Sequence, residues 1–215
     1  MAAYASTHSF RRGEYVWQAG DAARSFTVIR NGLVKLVRSG PRGRSAICGL
    51  FGPPETVGDV AVLKGLPYPS DAAVATEQAH VIRIPREVVL EGTRKSPQLG
   101  VSLACSLHNK LSALHVKIDV LSAGSVEARL ATLLLKLYDQ FGDDFEDGTS
   151  TIPVALSRRE LSDLVSTSFE TAIRVMTRWE REKVVDTEAH GFTVHDLSQL
   201  REVAGNPESV ESQAS

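Results

Sequence analysis

Between residues 156 and 186 the apolar positions fall into two helical groups separated by a polar break. Leu161, Leu164 and Val165 give a short first helix one apolar face. Ala172, Val175, Met176 and Trp179, at i, i+3, i+4 and i+7, give a second helix one buried stripe. Ser157 with Glu160 three residues on fits a capping box, and Ser166-Thr167 breaks the pattern before Ser168, which can cap the second helix. Beyond it, Val184-Val185 and Phe192-Thr193-Val194 flank a turn at His190-Gly191, as a small hairpin would. The pattern predicts a helix–turn–helix followed by a wing.

From Phe10 to about Pro85 the period changes. Turn signals recur at Ala19-Gly20-Asp21, Asn31-Gly32, Gly40-Pro41-Arg42-Gly43 and Gly52-Pro53-Pro54. Asn31-Gly32 reads as a hairpin turn between Phe26–Ile29 and Leu33–Val37, because both of its residues accept positive φ. Further β-prone runs at Ala46–Phe51, Ala72–Ala75 and Val81–Ile84 complete a series of short strands, which predicts a barrel or sandwich.

Between Pro97 and Gly124, Leu103, Leu107, Leu111, Leu114, Ile118 and Leu121 are spaced 4, 4, 3, 4 and 3. This near-heptad spacing predicts a long helix that pairs with its copy in a homodimer. Val116 and Val120 add a second apolar strip for the barrel to cover, and the alternative is a helix packed on its own barrel alone. The pattern stops at Ser122-Ala123-Gly124-Ser125, a candidate hinge.

Composition changes this picture little. The chain has 215 residues, 42% of them hydrophobic, and a formal charge of −2. That charge excludes a polybasic DNA-coating protein but not a sequence-specific reader. No apolar run reaches the length of a membrane span, and the N-terminus lacks the apolar core of a secretory signal, so no membrane role is expected. Cys48 and Cys105 make no disulfide framework and are expected to be reduced and buried in a cytoplasmic protein. No HExxH, GxSxG, Walker loop or paired CxxC is present, so the chain is not expected to be an enzyme.

The second helix of the pair carries the candidate chemistry. Opposite its buried stripe lie Phe169, Glu170, Ile173, Arg174, Thr177 and Arg178. Glu170 and Arg174 are one turn apart near the N-terminus, where a helix in the major groove of DNA meets base edges. Arg offers a bidentate bond to guanine O6 and N7, and a carboxylate accepts from cytosine N4, each discriminating by roughly 1–3 kcal/mol. A surface ion pair at that spacing would contribute only about 0.2–0.5 kcal/mol. Residues 153–184 hold six Lys/Arg against five Asp/Glu, so a few placed cations must attract phosphate.

Over roughly residues 10–200 the chain resembles the CRP/FNR family, that of the cyclic-AMP receptor protein and the fumarate–nitrate regulator. The likeness rests on the glycines of RRGEYVWQAGD, IRNGLVKLV and VGD (Gly13, Gly20, Gly32, Gly58) and on LSRRELSDLVSTSFETAIRVMTRWE. The resemblance implies an α+β fold. A cyclic-nucleotide-binding-like jelly-roll β-barrel would occupy residues 10–95, a dimerisation helix 96–124 and a winged helix–turn–helix 125–204, before a disordered tail at 205–215. It implies a homodimer on double-stranded DNA with TGA-like half-site cores, read by Glu170 and Arg174 with Ser168, Phe169, Ile173 and Arg178 around them. Contact with RNA polymerase is also implied, through the acidic turn Asp143–Asp147. Arg42 and Arg44 stand where the cyclic-AMP receptor protein has an acidic turn. The residue before the reading Glu is Phe169 rather than the Arg of the cyclic-AMP receptor protein, which removes a guanine contact and leaves an apolar group for a thymine methyl. Ser166 stands in place of the usual turn Gly; a left-handed conformation there costs roughly 1 kcal/mol or more.

The same resemblance places an effector pocket at Gly58, Asp59, Pro69, Ser70, Leu114 and His115. Cyclic-nucleotide sensors carry Gly-Glu and Arg-Ser there; this chain has Asp59 for the Glu and Pro69 for the Arg. Proline cannot supply the cation that a buried phosphodiester needs, so cyclic AMP bound in the usual way is not expected. One chain with two cysteines cannot give four-thiolate ligation, which argues against an iron–sulfur cluster. Haem sensing is the alternative, with His8, His80, His108 and His115 as axial candidates and His115 the best placed. No metal site is expected otherwise. The effector, if any, and the sign of regulation are not encoded in any motif.

Overall fold

The computed structural model describes residues 4–40, 45–146 and 148–205, with the side chains of residues 45 and 108–117 outside that description. The chain divides into two units, Met1–Ala113 and Leu114–Ser215. In the first, β1 (Ser6–Arg11), β8 (Gln78–Pro85), β3 (Ser25–Asn31) and β6 (Thr56–Val57) form one antiparallel sheet in that spatial order. The other sheet runs β2 (Tyr15–Trp17), β7 (Asp71–Val74), β4 (Val34–Ser39), β5 (Ser45–Phe51). Phe26 and Ile29 of β3, Val34 of β4 and Ala79 and Val81 of β8 are buried in one apolar cluster. This is a jelly roll of two sheets rather than a closed barrel. Helices α1 (Asp59–Lys64) and α2 (Arg86–Lys95) complete the unit.

Two elements depart from the sequence pattern. Asn31-Gly32 is a turn but not a hairpin: β3 pairs with β6 and β8, whereas β4 pairs with β5 and β7. The turn carries the chain from one sheet to the other. Gly32 sits at φ 74, and a Cβ there would lie 2.2 Å from the Gln78 carbonyl oxygen. Leu33 N donates to Thr76 Oγ1 at 2.9 Å, so the corner is held by β7–β8 residues and not by a facing strand. The second departure is β1, which the alternation did not reveal. Its side chains are mostly exposed, and it is held by pairing its backbone along β8. The turn residues Pro41, Arg42 and Gly43, with Arg44, lie outside the described residues, as do Asp147 and residues 206–215.

Both cysteines are exposed, against the expectation of burial. Cys48 lies on β5, at the end of its sheet, where alternation turns the buried Ile47 inward and Cys48 outward.

Helix α3 (Pro97–Ser122) begins with proline, whose missing N–H is harmless at a first helical position. Its apolar strip divides. Leu99 and Leu103 pack against the jelly-roll core, whereas Ile118 and Leu121 are exposed and Val120 is buried. Leu111, Leu114 and Val116 are among the residues whose side chains lie outside the description.

In the second unit, α4 (Val126–Phe141) buries Leu130, Leu134 and Leu137. The sequence pattern had not singled out this helix. Strands β9 (Asp143–Asp144), β10 (Ser150–Ile152), β11 (Val185–Glu188) and β12 (Gly191–Val194) form a small sheet in the order β11-β12-β10-β9. Helices α5 (Arg158–Leu164), α6 (Phe169–Arg181) and α7 (Leu197–Val203) enclose its core of Ile152, Leu161, Met176, Trp179, Phe192 and Leu200.

Candidate nucleic-acid interface

The start of α5 is a complete capping box. Ser157 Oγ accepts from Glu160 N at 3.2 Å, and Glu160 Oε2 accepts from Ser157 N at 2.8 Å. The helix stops at Val165, whose carbonyl accepts from the Arg129 guanidinium at 2.8 Å. Ser166 then takes φ 53, the left-handed conformation its position in the turn requires. Thr167 N returns to the Ser162 carbonyl at 2.9 Å and closes the turn. Ser168 caps α6, accepting from Thr171 N at 3.1 Å and donating to Thr171 Oγ1 at 3.0 Å. Leu161, Val165 and the stripe Ala172, Val175, Met176, Trp179 are all buried, so both helices are fixed by their inner faces.

That fixing determines what α6 presents outward. Glu170, Arg174 and Thr177 are exposed, and Phe169 and Ile173 are 39% and 37% exposed. The Glu170 carboxyl is held below the usual carboxylate range, first by its own backbone N–H at the helix start, then by Ser168, with a smaller contribution from Arg159. It is therefore an ionised, acceptor-only group at neutral pH. Arg174, one turn later, offers a fork of donors. Together they can accept from one base and donate to the next.

Arg178 is placed differently. It is half-exposed and forms an ion pair with Glu127 on α4, and approaches Glu182 at 4.0 Å. Glu127 Oε1 also accepts the Trp179 indole N–H at 3.1 Å. Arg158, on α5, is paired with Glu180 on α6. Neither carboxylate was legible as a site residue, since each pair joins positions far apart in sequence. Between the start of α4 and the outer face of α6 lies an open groove of about 670 Å³, lined by Ser125, Glu127, Thr171, Arg174, Arg178 and Arg181.

The wing forms as the pattern predicts. β11 and β12 pair antiparallel from Val185↔Val194 to Glu188↔Gly191. A Cβ at Gly191 would lie 2.0 Å from the Ile152 carbonyl oxygen, so only glycine lets β12 lie this close to β10. His195 Nε2 meets Asp186 Oδ2 at 2.9 Å across the base of the hairpin.

In the jelly roll, Gly58 takes φ 72, and a Cβ there would meet Tyr68 at 2.6 Å and Trp17 at 3.0 Å. Those two rings stack 4.1 Å apart, and the Trp17 indole donates to the Ser70 carbonyl at 3.0 Å. Gly58 and Ser70 are thus brought to one aromatic stack. The Asp59 side chain is buried and turned to its own turn, accepting from Thr56 Oγ1 at 2.9 Å and from Val60 N at 3.0 Å. Pro69 is exposed, and the side chains of Leu114 and His115 lie outside the description. Among the described residues no group of three His, Cys, Asp or Glu could hold a metal ion, and no helix is long and apolar enough to cross a membrane.

A jelly roll, a long helix and a winged helix–turn–helix in this order define a class, regulators that join an effector-binding fold to a DNA-reading one. Residues 7–95 match the family model of a cyclic nucleotide-binding domain, and residues 128–203 that of a Crp-like helix-turn-helix domain. The cyclic AMP receptor protein of Thermus thermophilus is 28% identical over 202 residues, covering 94% of this chain and 89% of that protein. The transcriptional activator protein Anr of Pseudomonas protegens is 27% identical over 198 residues, covering 91% and 79%. The crystal structure of a CRP-family transcriptional regulator, also from Thermus thermophilus, superposes with a TM-score of 0.78 at 23% identity, over 93% of this chain and 97% of that one. The chain belongs to the CRP/FNR family of transcription regulators.

Proposed function

We propose that the protein acts as a homodimer on a two-fold-symmetric DNA site, reading a TGA-like core in each half with Glu170 and Arg174. The observation that carries this reading is the pairing of those two exposed groups on a helix whose other face is locked by Ala172, Val175, Met176 and Trp179. Ser168, Phe169 and Ile173 border the same surface. Arg178 borders it too, but through Glu127 it also ties the reading helix to α4. The exposed Ile118 and Leu121 of α3 supply apolar surface for the partner subunit, which would set two reading helices about 34 Å apart. The break between α3 and α4 at residues 123–125 serves as the hinge through which the jelly roll biases the reading heads. The exposed acidic turn at Asp143–Glu146 is the surface offered to RNA polymerase, and the site of action is the cytoplasm.

The jelly roll does not hold a cyclic nucleotide in the family's usual way. Pro69 leaves the phosphate without a guanidinium, and the carboxylate of Asp59 is engaged by Thr56 and Val60. Regulation is by another small molecule, or the dimer is active without one.

Selection of bound sequences from random duplexes tests the reading. The wild-type protein is expected to enrich a dyad, and Arg174→Ala is expected to lose it. A monomeric protein that enriches no motif would overturn the proposal.

A further inference from the structure

We infer that Arg159, on the first helix of the pair, is an additional base reader, held over the interface by stacking on Phe169. The inference rests on the DNA-reading role proposed for α6. The Arg159 guanidinium carbon lies 5.3 Å from the centroid of the Phe169 ring, a cation–π arrangement. Both residues are exposed, and Phe169 is the first residue of α6, directly before Glu170. The neighbouring Arg158 turns the other way, into its ion pair with Glu180. Arg159 forms no ion pair among the described residues, so its fork of donors is uncommitted.

The position of the ring decides what this fork can reach. The first helix of such a pair ordinarily crosses the phosphate backbone, and a free Arg on it would be a phosphate contact. Here the stacking holds the charge at the N-terminus of α6, close enough to Glu170 to favour that carboxylate's ionised form. A guanidinium held by a ring through its charge spends none of its N–H donors on that contact, so the edge that binds guanine O6 and N7 stays available. The interface then holds one acceptor, Glu170, and two forks, Arg174 and Arg159. Phe169 is a positioning residue, and the guanine donor lost from its own position is resupplied from α5. The ligand is a guanine next to the core of each half-site.

Two conservative variants of the full-length protein test this, with folding checked by circular dichroism. Arg159→Lys keeps the charge but loses the planar fork. Phe169→Leu keeps an apolar side chain able to touch a thymine methyl but loses the stacking surface. In selection from random duplexes and in titration of single-base variants, both are expected to lose a preference of about ten-fold for guanine at one flanking position. For Arg159→Lys, which keeps the charge, preference at the core and the dependence of affinity on salt should stay as in wild type. The inference is overturned if Arg159→Lys retains the flanking preference. It is equally overturned if Arg159→Ala weakens every duplex alike and lowers the salt slope by about one phosphate per half-site, the signature of a backbone contact. A wild-type protein that enriches no motif at all defeats the DNA-reading role itself, and so is distinguishable from either result.

Discussion

Glu127 accepts the indole N–H of Trp179 at 3.1 Å while forming an ion pair with the adjacent Arg178. One carboxylate at the start of α4 thus fastens two successive residues of α6, 52 positions away in the case of Trp179. The ion pair is about two-thirds screened from solvent on one side and less on the other, so its own contribution is small. The hydrogen bond from the buried indole is the stronger tie. Glu127→Gln, which keeps an acceptor, is expected to lower unfolding free energy by less than about 1 kcal/mol, and Glu127→Ala by about 1–2 kcal/mol. Urea unfolding checks both. Because α6 loses its anchor, Glu127→Ala should also weaken binding to a selected operator.

That tie shows where sequence pattern stops. The helix pair was legible because its determinants are local: Ser157 with Glu160, Ser168 with Thr171, and a stripe repeating every three to four residues. The left-handed turn at Ser166 was signalled only by the family resemblance, in which a Gly usually stands there. Glu127 was not legible, because nothing near it announces a partner on α6. Asn31-Gly32 failed for a related reason. The dipeptide specifies a reversal of the chain, but the strand that pairs with β3 is chosen by distant residues such as Gln78 and Thr76 at the corner. Strand β1 was silent because its hydrogen bonds to β8 are made by backbone, and its side chains bury little.

Ser166 carries the backbone cost of that turn. At φ 53 a serine is strained relative to glycine, and its side chain is exposed, so nothing packs against a methylene there. Ser166→Gly removes the left-handed penalty of about 1–2 kcal/mol but adds about 0.4–1 kcal/mol of unfolded-state entropy. The expected net is a gain of about 0.5–1 kcal/mol in chemical denaturation, with operator affinity unchanged. A loss of stability would show that Ser166 contributes a contact of its own.

Glu170 gives the interface a defined pH behaviour. Its folded-state pKa lies below the ordinary 4.5, through its own N–H, Ser168 and Arg159 in that order. The contribution of its ionised form is therefore present above the unfolded value and is lost as pH falls through the folded one. Across about pH 5.5–8 the carboxylate does not titrate. The ratio of affinities for a selected core and for a duplex altered at the base proposed to be read by Glu170 should stay flat over that window. A midpoint within it would mean that a different group reads the base. Glu170→Gln, which adds a donor to an acceptor-only position, should reduce the ratio at every pH.

In the jelly roll, Thr56 stands between two elements. Its hydroxyl donates to Asp59 Oδ2 at 2.9 Å and lies 2.8 Å from Ser106 Oγ on α3. Asp59 is buried, so removal of a donor leaves a carboxylate with less compensation for its lost hydration. Thr56→Val keeps the shape of the side chain and deletes both bonds; it is expected to cost about 1–3 kcal/mol. Ser106→Ala leaves the Thr56–Asp59 bond intact and should cost less, about 0.5–1.5 kcal/mol. The double variant should cost less than the two singles added, because they share one hydroxyl. Strict additivity in urea unfolding would show that the three groups do not act as one chain, and that Ser106 is held by α3 alone.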